Sequence, residues 1–343
     1  MRLLTTGGCG FIGSNFVLDW INEKRGQLVN IDCLNYAGQI ANLRDIEDNP
    51  LYTFVHGNIN NRSLVSRTLA FNSPECLIHF AAESNSIDRT VKSENLLINN
   101  VIGTFNLLEE CLVYWKSLPP ENQEKFRFVH ISTADVYGTS PQETSGEINT
   151  YEPSDVYAAS KASADHFVRA YYHTYGLPTI IIHAGNIYGP RQYSEKLIPV
   201  ILQHAISGEQ LAVYGNGENI RDWLYVGDAV AAIQLIAEHG IPGEVYHIGG
   251  EQERTNLNMI KTLCQILEQK ISHPGISSFE SLIKLVKEGE KNDISYTTDN
   301  EKIRKELGWN PNTSLNEGLD VTISWYLQQW SKDSDIVKLG NKF

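Results

Sequence analysis

Thr6-Gly7-Gly8-Cys9-Gly10-Phe11-Ile12-Gly13 is the stretch on which the fold turns. It follows a short apolar run, Arg2-Leu3-Leu4-Thr5, that reads as a strand, and it leads into a helical pattern from Phe11 to Lys24. Glycines fall at 7, 10 and 13. The first permits a tight turn, the second lets the backbone approach a pyrophosphate, and the third lets the helix pack closely on the strand. The helix opening adds unpaired N–H groups and the positive end of its dipole. Such a turn alone is a weak signal. Here its context is right, and Asp32 ends the next strand, Gln27–Ile31, about 20 residues further on. A carboxylate there accepts hydrogen bonds from ribose hydroxyls and repels a 2′-phosphate, which points to NAD rather than NADP. Gly7, Gly10, Phe11, Ile12, Gly13 and Asp32 are therefore expected to hold the cofactor.

Outward from this turn the alternation repeats. Tyr52–Val55, Cys76–Phe80, Phe126–Ile131 and Pro178–Ile182 read as strands, with helical patterns between them, notably Asn99–Trp115 and Ala159–Tyr175. Strands alternating with helices predict an α/β fold, a Rossmann-like doubly wound parallel sheet with helices on both faces. Beyond about residue 190 helices and irregular segments dominate, so a smaller, mostly helical C-terminal lobe is expected. Residues 1–182 are assigned to the NAD-binding domain, with segments at about 215–240 returning to it, and 183–343 mainly to a substrate-binding lobe. No repeat or low-complexity linker separates them, so they are expected to share one cleft.

The 343 residues carry 28 Lys plus Arg against 41 Asp plus Glu, a net charge of −13. An acidic chain is poorly suited to binding a phosphate backbone, so no nucleic-acid partner is expected, although a local basic pocket for a small anion is compatible with it. Five scattered cysteines without a C-x-x-C pair read as reduced thiols in a cytoplasmic protein. No basic-then-apolar leader follows Met1, and no apolar run approaches the roughly 20 residues of a membrane span, so no membrane association is expected. His79 and His130 sit inside apolar strand patterns and read as hydrogen-bonded core residues. No two histidines show the i, i+4 spacing of a helical zinc site, and no metal is expected.

The second chemical signal is Tyr157-Ala158-Ala159-Ser160-Lys161. Positions four apart share a helix face. An ammonium beside a phenol favours the phenolate, which can take a proton from an alcohol while hydride leaves for a nicotinamide. Tyr157 and Lys161 are thus expected to be catalytic and to touch the cofactor.

From these two signals outward, the sequence resembles the extended short-chain dehydrogenase/reductases that act on nucleotide sugars, and within them the dTDP-glucose 4,6-dehydratases. The matching segments run from Thr6-Gly7-Gly8 to about Trp325. They include Asn35-Tyr36-Ala37-Gly38 after Asp32, His56-Gly57, His79-Phe80-Ala81-Ala82-Glu83-Ser84, Ser132-Thr133 and Val136-Tyr137-Gly138. Tyr188-Gly189-Pro190, Glu195-Lys196-Leu197-Ile198-Pro199, Val213-Tyr214-Gly215, Arg221-Asp222-Trp223-Leu224-Tyr225-Val226 and Glu306-Leu307-Gly308-Trp309 continue the series. The resemblance implies an internal redox cycle. The C4 hydroxyl is oxidised with Tyr157 as base and Thr133 bonding the reacting oxygen, water is lost across C5–C6, and hydride returns to C6. It adds Asn58, Ile59, Ala81 and Ala82 to the cofactor site. It also implies Ser84, Asn85, Thr133, Asn186, Glu195, Lys196, Leu197, Tyr214, Arg221 and Lys291 as contacts of a nucleotide-diphosphate sugar. Helices Asn99–Trp115 and Ala159–Tyr175 correspond to those that pair as a four-helix bundle in the family, which implies a homodimer.

The chain departs from this pattern where elimination is carried. The family has Thr-Asp-Glu, its Asp protonating the leaving C6 oxygen and its Glu removing the C5 proton. This chain has Thr133-Ala134-Asp135. Ala134 has no proton to give, and Asp135 is shorter by one methylene, about 1.5 Å of reach. Three readings follow. Asp135 does both jobs, or elimination is gone and a 4-epimerase or C4 oxidoreductase remains, or Ala134 is an introduced substitution. A non-catalytic scaffold would have no use for Thr133, Tyr157 and Lys161 together. Smaller departures are Asn58 for an Asp near the adenine, Asn85-Ser86-Ile87-Asp88-Arg89 for a shorter His-Val-Asp-Arg run, and Ser295 for a diphosphate-binding Arg. Lys291 is left as a point charge there.

Overall fold

The computed structural model describes residues 1–84, 92–138, 150–287 and 298–332. Its strands in chain order are β1 (Leu3–Thr6), β2 (Leu28–Asp32), β3 (Tyr52–His56), β4 (Cys76–His79), β5 (Arg127–Thr133) and β6 (Thr179–Ala184). β7 (Asn186–Tyr188), β8 (Leu211–Tyr214), β9 (Ile220–Tyr225), β10 (Val245–Ile248), β11 (Glu253–Thr255) and β12 (Ile283–Val286) follow. β1, β2, β4, β5 and β6 are short runs buried on both faces, as a parallel sheet with helical crossovers requires, whereas β3 at the sheet edge is partly exposed.

Seven of the strands form one parallel sheet in the order β10-β6-β5-β4-β1-β2-β3. The chain builds outward from β1 to β3, returns to the middle, and builds the other way from β4. The order reverses between β1 and β4, and such a switch point opens a crevice at the carboxyl ends of the strands. Helices Phe11–Asn22 and Val226–His239 cover one face through Phe16, Trp20, Ile233 and Ile236. Helices Ser93–Ser117 and Val156–Tyr175 cover the other through Leu107, Leu108, Val168 and Tyr171.

The remaining chain makes a second core of Ile198, Leu202, Met259, Leu263, Leu319 and Ile323. It is less purely helical than expected, because it also holds two small sheets, β11-β9-β7 and β12-β8. The seventh strand of the main sheet, Val245–Ile248, lies late in the chain.

Helix Val156–Tyr175 starts three residues before the Ala159 expected from periodicity. Asp155 caps it, its carboxylate accepting the Ala158 N–H at 2.7 Å, and Gly176 at φ 74° ends it. The cap places Tyr157 in the first turn. Helix Ser93–Ser117 likewise begins before Asn99 and contains a π-helical stretch, Leu97–Ile102. By length and mean hydropathy it is the one described helix that could cross a membrane, but Glu94, Glu109, Glu110 and Lys116 interrupt it and 56% of its most apolar stretch is buried in the protein.

Candidate active site

A cavity of about 1000 Å³ opens at the switch point. Its floor is the glycine turn between β1 and the first helix. Gly7 has φ 75°, and a Cβ there would lie 2.5 Å from the Ala81 amide nitrogen. A Cβ on Gly13 would lie 2.4 Å from the Gly7 carbonyl oxygen. Only glycine fits either place, so the floor is bare backbone. Gly10 caps the helix without a side-chain hydrogen bond, which leaves first-turn N–H groups for a ligand. Asp32 closes one end. Its carboxylate accepts the Cys9 and Leu34 N–H groups, each at 2.8 Å, and each oxygen keeps a further lone pair for a ribose hydroxyl. Burial pushes this carboxyl up and the two backbone donors oppose the shift. The cradle fits a dinucleotide. Phe11, Ile12, Asn58, Ile59, Ala81 and Ala82 stand in the same wall.

The opposite wall carries the acid–base groups. β5 ends at Thr133, whose Oγ1 accepts the Asp135 N–H at 3.2 Å and caps the short turn Ala134–Tyr137. This turn puts Thr133 and Asp135 in the wall, whereas Ala134 is 1% exposed and not part of it. Helix Val156–Tyr175 adds Tyr157 and Lys161.

Lys161 is buried. Its Nζ donates to the Ile131 carbonyl at 2.8 Å and lies 3.3 Å from His130 Nε2. Burial pulls its pKa down to about 8, and the Asp165 carboxylate opposes the fall. The Tyr157 phenol is not lowered as its spacing from Lys161 suggests. Burial pushes it up, and the carboxylates of Asp135, Asp155 and Asp165 add to the shift. The physical reason is first the burial of the phenol, and then that Lys161 is bonded to the β5 backbone while three carboxylates act on the phenol from a distance.

Of the sugar-contact residues, Ser84, Asn186, Lys196, Leu197 and Arg221 line the cavity. An Arg221 Nη donates to Asn186 Oδ1 at 3.3 Å, which couples β9 to β7. Glu195 is half-buried behind the wall, accepting the Tyr193 hydroxyl at 3.2 Å. Tyr214 is 51% exposed at the end of β8, away from the cavity wall. Asn85 and Lys291 lie outside the described residues.

Sequence reasoning missed Glu83, Asn99, Gln192, Trp223 and Asn256, all in the wall. Glu83 Oε2, Gln192 Oε1, Trp223 Nε1 and Asn256 Oδ1 are buried without a partner, as in a polar site made for a ligand. Glu83 Oε1 accepts Asn35 Nδ2 at 2.7 Å and Asn99 Nδ2 at 3.3 Å, while Asn100 bonds both the N–H and the carbonyl of Glu83. Asn99 and Asn100 both lie in the π-helical stretch Leu97–Ile102, the first reaching the Glu83 carboxylate and the second its backbone. No local signal marks a π-turn in advance. No three His, Cys, Asp or Glu among the described residues are grouped to hold a metal.

Comparison with known proteins agrees with this geometry. The pattern of the family described as GDP-mannose 4,6 dehydratase matches residues 4–322. The dTDP-glucose 4,6-dehydratase of Escherichia coli is 44% identical over 96% of this chain and 95% of its own length. The dTDP-glucose 4,6-dehydratase of Bacillus anthracis, solved in complex with NAD, superposes with a TM-score of 0.84 at 36% identity, covering 96% of this chain and 98% of that one. The enzyme of the same name from Streptomyces venezuelae, also with NAD bound, gives a TM-score of 0.86 at 36% identity over 97% and 98%.

Proposed function

The chain belongs to the GDP-mannose 4,6-dehydratase family, and on that premise we propose that it converts dTDP-glucose to dTDP-4-keto-6-deoxyglucose with NAD as resident cofactor. The observation that carries the proposal is one cavity holding the glycine cradle and Asp32 on one side and Thr133, Asp135, Tyr157 and Lys161 on the other.

When bound, NAD takes the C4 hydrogen as hydride and gives it back at C6. The chain's own residues move the protons. Tyr157 accepts the proton of the C4 hydroxyl, Lys161 stabilises the phenolate by its charge, and Thr133 hydrogen-bonds the same oxygen. A ketone at C4 makes the C5 proton acidic and places the C6 hydroxyl β to the carbonyl. Asp135 takes the C5 proton. Ala134 has nothing to titrate, so Asp135 also passes that proton to the departing C6 oxygen: the C5–H and C6–O bonds break, the C5–C6 double bond forms, and water leaves. As hydride returns to C6, Asp135, reprotonated from solvent, protonates C5, and Tyr157 releases to solvent the proton it took. Asn186 and Arg221 are placed to bind the diphosphate. A 4-epimerase that has lost elimination is not favoured, since the dehydratase relatives match at 36 to 44% identity and the epimerases at 28% or less.

The test is mass spectrometry of dTDP-glucose after incubation with the purified protein in deuterated water. The expected product has lost one water and carries deuterium at C5. An unchanged sugar nucleotide, or one converted to its C4 epimer, would refute the assignment.

The helices Ser93–Ser117 and Val156–Tyr175 leave Leu97, Ile102, Val113, Val156 and Phe167 exposed. Exposed apolar rows on neighbouring helices suit a homodimer through a four-helix bundle. Sedimentation is expected to give twice the chain mass, falling to one chain mass for Val113→Asp; a monomeric parent protein would refute the dimer.

A further inference from the structure

Behind Lys161 lies a buried cluster that the reaction above does not use. Asp165 follows Lys161 by one helical turn and is fully buried. His130 on β5 stands between them, its Nε2 3.3 Å from Lys161 Nζ and 3.3 Å from Asp165 Oδ1. The other carboxylate oxygen, Oδ2, is held by Ser132 Oγ at 2.9 Å, His183 Nε2 at 3.0 Å and Tyr151 OH at 3.3 Å. Beyond His183, the Tyr137 hydroxyl lies 2.7 Å from His183 Nδ1 and 2.8 Å from His247 Nε2.

His130 was expected to be an ordinary hydrogen-bonded core residue. His79 is one, with Thr6 and Thr104 on its two nitrogens. His130 is not, because its Nδ1 has no partner and its Nε2 faces a donor and an acceptor at once. One nitrogen cannot serve both. With its hydrogen it can only point toward Asp165, and without it it can only accept from Lys161. Its ring lies between the carboxylate and the ammonium, so the charge of Asp165 reaches Lys161 through space across His130 rather than along a chain of hydrogen bonds.

The charges around the cluster are these. From β4, β5 and β10, His79, His130 and His247 are all pushed down by burial, His130 to about 4 and His247 to about 3, so they are neutral at pH 7. His183 comes from β6. The Tyr137 and Tyr151 phenols are pushed up by burial. Arg169 lies 5.9 Å from the Tyr151 ring centre and also acts on His247, as does Lys302. On the cavity side Tyr157 feels Asp135 and Asp155. Asp165 itself is held well below the carboxylate range, chiefly by His130 and His183 against the cost of burial, so it is an anion throughout.

We propose that Asp165 is a positioning residue for C4 oxidation, a buried anion one helical turn from Lys161 whose field, acting across the His130 ring, keeps Lys161 an ammonium. The inference rests on the roles given above to Tyr157 and Lys161. Removing a negative charge lowers the proton affinity of both neighbours, Lys161 the more because it is nearer. The pH profile of turnover therefore moves as a whole to lower pH, and turnover at neutral pH falls.

The experiment is the pH dependence of kcat for the full chain with dTDP-glucose, compared with Asp165→Asn and Asp165→Glu. The asparagine variant is expected to shift both limbs down by about one pH unit, so that kcat falls about twofold at pH 7 and about tenfold at pH 9. The glutamate variant keeps the charge, so its limbs should stay at their original pH even if kcat drops. Asp165→Ser is the second neutral variant should the amide fail to fold. A folded neutral variant whose limbs do not move overturns the proposal. Tyr157→Phe and Lys161→Met in the same assay separate the two claims: if either retains turnover, the underlying reading fails, whereas if both abolish it and the limbs of the neutral variant stay fixed, only the role of Asp165 fails.

Discussion

Tyr157→Phe is expected to lower kcat by on the order of 10²- to 10⁴-fold while leaving folding and ligand affinity unchanged. The phenol has no hydrogen-bond partner among the described residues, so its loss leaves no buried group unsatisfied. The ring keeps its packing at the start of helix Val156–Tyr175. Only the proton acceptor for the C4 hydroxyl is removed. Its pH dependence in the parent protein follows from its neighbours. Burial and three carboxylates raise the phenol, so the positive charge of Lys161 is needed to make phenolate accessible. Burial holds Lys161 at about 8, so that charge is present at neutral pH and is lost as pH rises through 8. Turnover should therefore fall on the alkaline side at about that pH. Measurement is by product formation with dTDP-glucose alongside a thermal melt. A variant that melts with the parent but still turns over within tenfold of it would remove Tyr157 from the chemistry.

Asp135→Asn is expected to stop the reaction between its two halves. Oxidation at C4 depends on Thr133, Tyr157 and Lys161, which the substitution leaves in place. Elimination depends on the carboxylate, and with Ala134 beside it no second carboxyl group stands in the turn; the Tyr137 phenol there is engaged with His183 and His247. Water loss should fall by on the order of 10²- to 10⁴-fold, the usual worth of a positioned proton-transfer group. The signature is reduced nicotinamide that forms on adding dTDP-glucose and persists, with no dehydrated product by mass. Dehydration at near-parental rate would mean that another group does the work, and Glu83, in the cavity wall with one unpartnered carboxylate oxygen, would be the next residue to replace.

The two variants separate the parts of the site that were legible in the sequence from those that were not. Tyr157 and Lys161 were found by spacing, and Gly7, Gly10, Gly13 and Asp32 by their order around a strand and a helix. The structure brings them to one cavity. The electrostatics inferred from spacing alone were not, because the phenol rises where a fall was expected. Four-residue spacing says which side chains share a helix face, but not how deeply they are buried nor what packs on them. Lys161 turns to the β5 backbone and His130, which no helical periodicity could reveal.

The sequence by itself determined the parallel α/β sheet, the dinucleotide cradle and the oxidation pair. These rest on short-range physics: the backbone freedom of glycine, the unpaired amides of a helix start, and a period that repeats within a few residues. Only the tertiary structure decided the rest. β10 enters the main sheet beside β6 from the far half of the chain, Arg221 meets Asn186, and Glu83 is clasped from a π-helical turn. The Lys161–His130–Asp165–His183 cluster is assembled from two strands and a helix and given its charge states by burial. Such contacts join residues distant in the chain, and their energies come from desolvation, which depends on what the folded protein excludes from water rather than on any neighbour in sequence.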